Sequence, residues 1–249
     1  MASGPMEQFE ITEHRELFEI AGQTVSWTNS AFWMVMSCVI IVAFFALTLR
    51  GKLIPGRMQS VGELSYQFIA DMVRDTVGPE AMRFMPFIFT LFFFVLGANL
   101  MGMNPYAFTT TSHLSVTIAL AVMTILVVII AGIWKNGLSW FRIFAPSGLP
   151  FIMYFIIIPI EIISFLARPI TLAVRLFANM VAGHVMLKLF AIFAAFLVAK
   201  GGATALGAIV PVLGTIGIVA LEFLVAGLQA FVFAILTCVY LNDVYHVHH

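Results

Sequence analysis

The chain has 249 residues, of which 62% are hydrophobic and only 10% charged, with zero formal net charge and a mean hydropathy of +1.06. This excludes an ordinary soluble domain and describes a polytopic membrane protein whose main solvent is lipid. The charge balance gives no ground for nucleic acid or an acidic surface as partner.

Residues 1–29 form a polar outer segment that carries Glu7, Glu10, Glu13, Glu16 and Glu19 with Arg15 as its only strong base. A cleavable secretory signal would begin basic and turn apolar within that length, so none is expected. Residues 31–49 are the first predicted span, and Arg50, Lys52 and Arg57 follow it. Positive charge favours the cytoplasmic side, which puts the N-terminus outside and this loop inside. In 58–82, Val61, Leu64, Phe68 and Met72 repeat at helical spacing while Glu63, Asp71, Arg74 and Asp75 take other positions. That segment reads as an interfacial amphipathic helix, ended or bent at Gly78-Pro79. A second span, 84–103, emerges at Asn104-Pro105-Tyr106 and Thr109 to Ser112, a loop without Lys or Arg and therefore an outer one. The third, 114–134, returns inward to Lys135 and Arg142.

The remainder is different in kind. Residues 149–198 would measure ~75 Å as one helix against a hydrocarbon thickness of ~30 Å. Pro159 and Pro169 permit a kink, but no polar loop interrupts the run, so one oblique helix or two collinear pieces is expected. Lys200-Gly201-Gly202 makes a turn, and 203–241 is a second overlong helix with Gly207, Pro211, Gly214 and Gly217 early in it. The expected fold is an all-α polytopic membrane protein, a single membrane domain over 1–249. It has five crossing helices and one interfacial helix, the last two crossings forming a long, strongly tilted hairpin. Five crossings leave His246 to His249 inside, whereas six full crossings would put them outside. Cys38 and Cys238, each in an apolar run, read as two inert buried thiols.

Arg175 is the first functional candidate, because a guanidinium cannot shed its charge and persists in hydrocarbon only for a charged partner or a wet path. Glu161, Arg168 and Arg175 are seven residues apart, about 20° from eclipsed per step, and share a side if the helix persists through Pro169. Asn179 extends that side by a turn. His184, nine residues past Arg175, lies about 180° around. Glu222 and Gln229 share a side of the last helix, and antiparallel packing brings Gln229 toward Arg175 and Glu222 toward His184. Structural alternatives exist: snorkelling by Arg168, a Glu161–Arg168 pair, an interhelical hydrogen bond at His184, and an Arg175–Glu222 salt bridge. Lys188 and Lys200 read as outer-end anchors. His113, His246, His248 and His249 make no metal pattern, and no metal or cofactor is expected.

The run Arg168-Pro-Ile-Thr-Leu-Ala-Val-Arg175-Leu-Phe-Ala-Asn179-Met-Val-Ala-Gly-His184 closely resembles the signature of subunit a of the rotary F-type ATP synthase. Asn99-Leu-Met-Gly-Met-Asn-Pro-Tyr106, Glu161, the pair Glu222 and Gln229, and Tyr240-Leu-Asn-Asp243 are similar to the same family, from about residue 30 to the end. His184 with the acid Glu222 on the last helix resembles the mitochondrial and alpha-proteobacterial arrangement; many other bacterial members look reversed.

The resemblance implies a proton-conducting stator with two offset half-channels. Arg175 would face the carboxylates of the c-subunit ring and block a direct leak. His184 and Glu222 would line the outer half-channel, Glu161 the inner one, with Asp243 near its mouth. Asn179, Gln229 and Asn99 would give polar support. The implied partners are the c ring, b-type peripheral stalk subunits and the remaining ATP synthase subunits, in a bacterial inner membrane. The chain has no Gly-Lys-Ser/Thr phosphate loop, so nucleotide chemistry falls to other subunits. A relay histidine favours protons over sodium. The rivals are a self-contained secondary transporter or ion channel, which predicts an internal repeat that the sequence does not show, and a membrane scaffold, which leaves the buried charges unexplained.

Overall fold

Thr28 ends an N-terminal strand and begins the first helix. Its hydroxyl accepts the amide of Ala31 at 3.3 Å, while the Asn29 side chain accepts the amide of Ser30 at 2.8 Å. Two amides at the head of the helix thus find acceptors, as helix starts require. The computed structural model describes residues 13–20, 23–48, 56–104, 108–144 and 151–245. Arg50, Lys52, Pro105, Tyr106 and His246 to His249, used above for orientation, resemblance or the tail, lie outside the described residues.

Strands β1 (Glu13–Ile20) and β2 (Gln23–Thr28) pair antiparallel, with Glu13 opposite Thr28 and Ile20 opposite Gln23. This hairpin adds to an otherwise all-α fold. The spacing of the glutamates draws attention away from Thr24, Val25, Trp27 and Thr28, residue types that favour strands.

Among the described residues, five helices are long and apolar enough to cross a membrane. They comprise α1 (Asn29–Thr48), the stretch Pro79–Gly102 that contains α3 (Met85–Gly102), and α4 (Leu114–Asn136). The other two are α5 (Phe151–Lys200) and the stretch Thr204–Tyr245, which holds α7 (Ile209–Tyr245). The chain is a multi-pass membrane protein. Between the first two, α2 (Arg57–Thr76) is amphipathic, and Gly78 at φ 104° turns the chain into a short 3-10 helix, Pro79–Phe84. Helix α5 is continuous for 50 residues with both prolines inside it. The second overlong helix is interrupted. A four-residue α6 (Ala203–Leu206) stops at Gly207, and α7 restarts at Ile209 with Pro211 in its first turn, where a missing amide is tolerated. Gly201 and Gly202, at φ 67° and 61°, make the preceding turn.

The chain divides into two compact units. One is drawn from Met1–Ile41, Phe94–His113 and Leu176–Gln229, with Val95, Ala98, Leu176, Met180 and Ala226 in its core. Close approach depends on small residues there: a Cβ on Gly97 would stand 2.8 Å from Ile41, and one on Gly214 would stand 2.7 Å from Phe190. The other consists of Val42–Phe93, Leu114–Arg175 and Ala230–His249, centred on Ile69, Val73, Ile88, Val128, Phe233 and Leu241. Rings pack densely in it, with Phe45 at 4.8 Å from Phe93 and 5.0 Å from Phe89. Lipid is as apolar as these side chains, so contact geometry and small residues rather than escape from water hold such helices together.

The two cysteines are free. Cys238 is buried as expected, but Cys38 is exposed on the chain's own surface. The all-round apolar α1 offers no sequence signal for which side packs against protein.

Candidate functional site

Hydroxyls that serve their own helix can be set aside first. Ser37, Thr48, Thr90, Thr124 and Thr237 donate to carbonyls one turn back, at 2.8 to 3.0 Å, and need no further partner in lipid. Apart from α2 and the short 3-10 helix after it, the candidate polar groups lie on α5, on α7 and at the junction of α3 with α4.

On α5, Leu172, Ala173, Leu176 and Met180 are buried and occupy an arc of about 100°. Arg175 falls outside that arc and is exposed, while Asn179, one turn on, is half-buried. Among the described residues Arg175 forms no ion pair. Because α5 runs unbroken through Pro169, Glu161, Arg168 and Arg175 lie on one slowly drifting stripe. Glu161 is half-buried and likewise forms no ion pair among the described residues. Arg168 instead pairs with Asp243 of α7 at 2.8 Å, with side-chain exposures of 27% and 39%, and lies 5.0 Å over the Tyr240 ring. The ion-paired partner of Arg168 is therefore Asp243, not Glu161.

The first unit holds a second cluster. His184 and Glu222 face each other across α5 and α7, Nε2 to Oε1 at 3.9 Å, with side chains 11% and 4% exposed. Glu222 is thus placed beside His184. Neither carboxyl oxygen of Glu222 has a hydrogen-bond partner among the described residues. Leaving such a group unmet in an apolar surround costs about 1–3 kcal/mol or more. His184 Nε2 also lies 3.0 Å from the Thr109 hydroxyl, which donates to the Gly102 carbonyl at 3.2 Å. Asn99, fully buried on α3, donates to the Ala226 carbonyl at 3.3 Å, one turn beyond Glu222, and its own oxygen has no partner among the described residues. Thr111 adds another buried hydroxyl without a hydrogen-bond partner among the described residues. Ser112 donates to the Thr109 carbonyl at 2.6 Å and braces the loop. Gln229 lies two turns past Glu222 on α7 and is half-buried.

Two members of this cluster, Gly183 and Thr109, were not singled out as candidates in the sequence. A Cβ on Gly183 would stand 2.5 Å from Glu222 Oε1, so the glycine makes room for the acid. A glycine directly before the candidate histidine was a usable signal. Thr109 carries none, because its importance rests on a loop closing against α5. Lys188 lies one turn beyond His184 on α5, and Lys200 closes α5 over the Phe196 ring at 4.6 Å. His113 sits in the loop before α4, stacked on Phe108 at 4.9 Å. Burial lowers the proton affinity of its imidazole below the ordinary histidine value.

Chemically, the first cluster offers a titratable base and acid in near contact, with hydroxyl and amide groups about them, in an apolar surround. It suits proton movement. Among the described residues no group of three or more His, Cys, Asp or Glu could hold a metal ion.

The ATP synthase A chain family model matches residues 31–242. ATP synthase subunit a of Hyphomonas neptunium is 55% identical over 247 residues, covering 99% of this chain and 97% of that protein. The protein of the same name from Chelativorans sp. is 50% identical over 250 residues, and that from Rhodopseudomonas palustris is 49% identical over 249; both matches cover 100% of each chain.

Proposed function

The chain belongs to the ATP synthase A chain family, the proton-translocating subunit a of the membrane sector, which assembles with other ATP synthase subunits; on that premise we propose which residues carry the protons. Arg175 faces the carboxylates of the c-subunit ring. Its permanent charge favours the ionised carboxylate as each ring site arrives, which releases the proton, and it repels hydronium and so bars a direct leak. His184 and Glu222 line the outer half-channel. Glu161 serves the inner one, with Asp243 at its mouth beside Arg168. Asn179, Gln229 and Asn99 orient water and the charged groups without titrating.

The carrying observation is the division of α5 into two polar faces. Arg175 is exposed outside the buried arc with no ion pair among the described residues, while His184, half a turn around, meets Glu222 in the interior. A charge kept in lipid without an internal partner implies an external one. Each proton crossing is worth ~2.3 kcal/mol per 100 mV, so several must be coupled to one ATP made on other subunits, while b-type peripheral stalk subunits hold the stator in place. Its location on this reading is a bacterial inner membrane, which the bacterial origin of the relatives supports.

Cysteine cross-linking tests this arrangement. Cysteines at positions 175 and 179 should join to the c ring in membranes, and one at 184 should not. Cross-linking from 184 alone would overturn the assignment.

A further inference from the structure

His184 presents a single nitrogen, Nε2, to two neighbours: Thr109 Oγ1 at 3.0 Å and Glu222 Oε1 at 3.9 Å. The threonine hydroxyl has one proton and two claims on it. When it donates to the Gly102 carbonyl, at 3.2 Å, it can only accept from a protonated Nε2. When Nε2 is bare, the hydroxyl can turn and donate to it instead. The side chain is held in place for this. A Cβ on Gly102 would stand 2.7 Å from Thr109 Cγ2, and Ser112 fixes the Thr109 carbonyl.

We propose that Thr109 is a positioning residue for the His184–Glu222 relay, a hydroxyl rotor that follows the protonation of Nε2 and keeps the histidine from collapsing onto the acid. The proposal rests on the reading that this pair conducts protons. In the step itself the imidazolium of His184 gives its Nε2 proton to the Glu222 carboxylate, directly or through one water. A neutral imidazole and a neutral carboxylic acid result. The Thr109 O–H then swings from Gly102 to the vacated nitrogen lone pair, so neither state leaves Nε2 unmet. Threonine itself neither gains nor loses a proton. Among the charged groups near the ring are Glu222 from α7 and Lys188 on α5 itself. Without the hydroxyl, His184 and Glu222 close into a fixed ion pair that holds its proton.

The experiment uses membranes carrying the whole ATP synthase with Thr109→Val, Thr109→Ala or Thr109→Ser, with assembly checked by retention of the c ring. ATP-driven proton pumping is measured as a function of pH. Thr109→Ser should match wild type in rate and profile. Thr109→Val and Thr109→Ala should pump about tenfold more slowly, the scale of one hydrogen bond to a charged ring. Their profile should move to alkaline pH by about one unit, the equivalent shift in proton affinity. If Thr109→Val fails to assemble, the Ala and Ser variants decide, since neither adds bulk. An unchanged rate and profile in Thr109→Ala overturns the proposal, as does equal impairment of Thr109→Ser, or slower pumping with an unmoved profile. Those results leave the relay reading intact. Wild-type pumping by His184→Ala would instead overturn the relay and this proposal together.

Discussion

Glu222 fills the space that a side chain at residue 183 would need: a Cβ there would lie 2.5 Å from Oε1 and 3.0 Å from Cδ. Gly183→Ala should therefore push the carboxyl group away from His184. Proton pumping by assembled enzyme should fall about tenfold, in keeping with the loss of one charged contact. Shortening the acid in the same chain, Gly183→Ala with Glu222→Asp, withdraws the carboxylate and should restore part of the rate. Wild-type pumping by the single variant would show that the pair tolerates displacement.

Arg175→Ala should abolish coupled ATP synthesis and open a passive proton leak through the membrane sector, because both the counter-charge and the barrier are removed. Arg175→Lys should fail as well, since an ammonium can lose its proton in an apolar setting and lacks the planar fork. ATP synthesis and passive proton flux in vesicles check both; normal coupling in either variant contradicts the assignment.

Exchange of the relay pair is a stricter test than deletion. His184→Ala and Glu222→Ala each leave a buried partner unmet and should cripple proton entry. The double variant His184→Glu with Glu222→His restores one acid and one base across the same 3.9 Å gap. It should recover part of the pumping lost in the worse single variant, with c-ring retention confirming assembly.

His113 gives a pH dependence outside the spans. Burial lowers its affinity for protons in the folded state, so the unfolded loop binds protons more readily. Its contribution to stability is full above about pH 6.5 and is lost as pH falls through the lower folded value. Hydrogen exchange over residues 108–113 should accelerate on acidification in the wild type and much less in His113→Gln. Equal acceleration in both would assign the effect to another group.

The five long apolar helices were legible because hydropathy over about twenty residues is a strong signal. The shared stripe of Glu161, Arg168 and Arg175 followed from spacing alone once Pro169 proved not to break α5. So did the meeting of His184 with Glu222, since antiparallel helices fix which residues come level. What stayed hidden depended on contacts that sequence separation conceals. Asp243 takes Arg168 from 75 residues away, and Thr109 reaches His184 over the same separation. The β1–β2 hairpin was masked by its glutamates, and the break at Gly207 looked like one small residue among several.

The partners that α7 supplies to α5 also set an order in time. Helix α5 is made before α7, and Arg168 precedes its partner Asp243 by 75 residues, so Arg168 leaves the ribosome before Asp243 has been translated. For that interval the nascent chain carries charged and titratable groups in lipid whose counterparts do not yet exist. A chain that stops between residues 200 and 222 would retain that deficit permanently. Completion of α7 relieves this deficit for Arg168, whose partner is then on the same chain, and leaves it standing for Arg175.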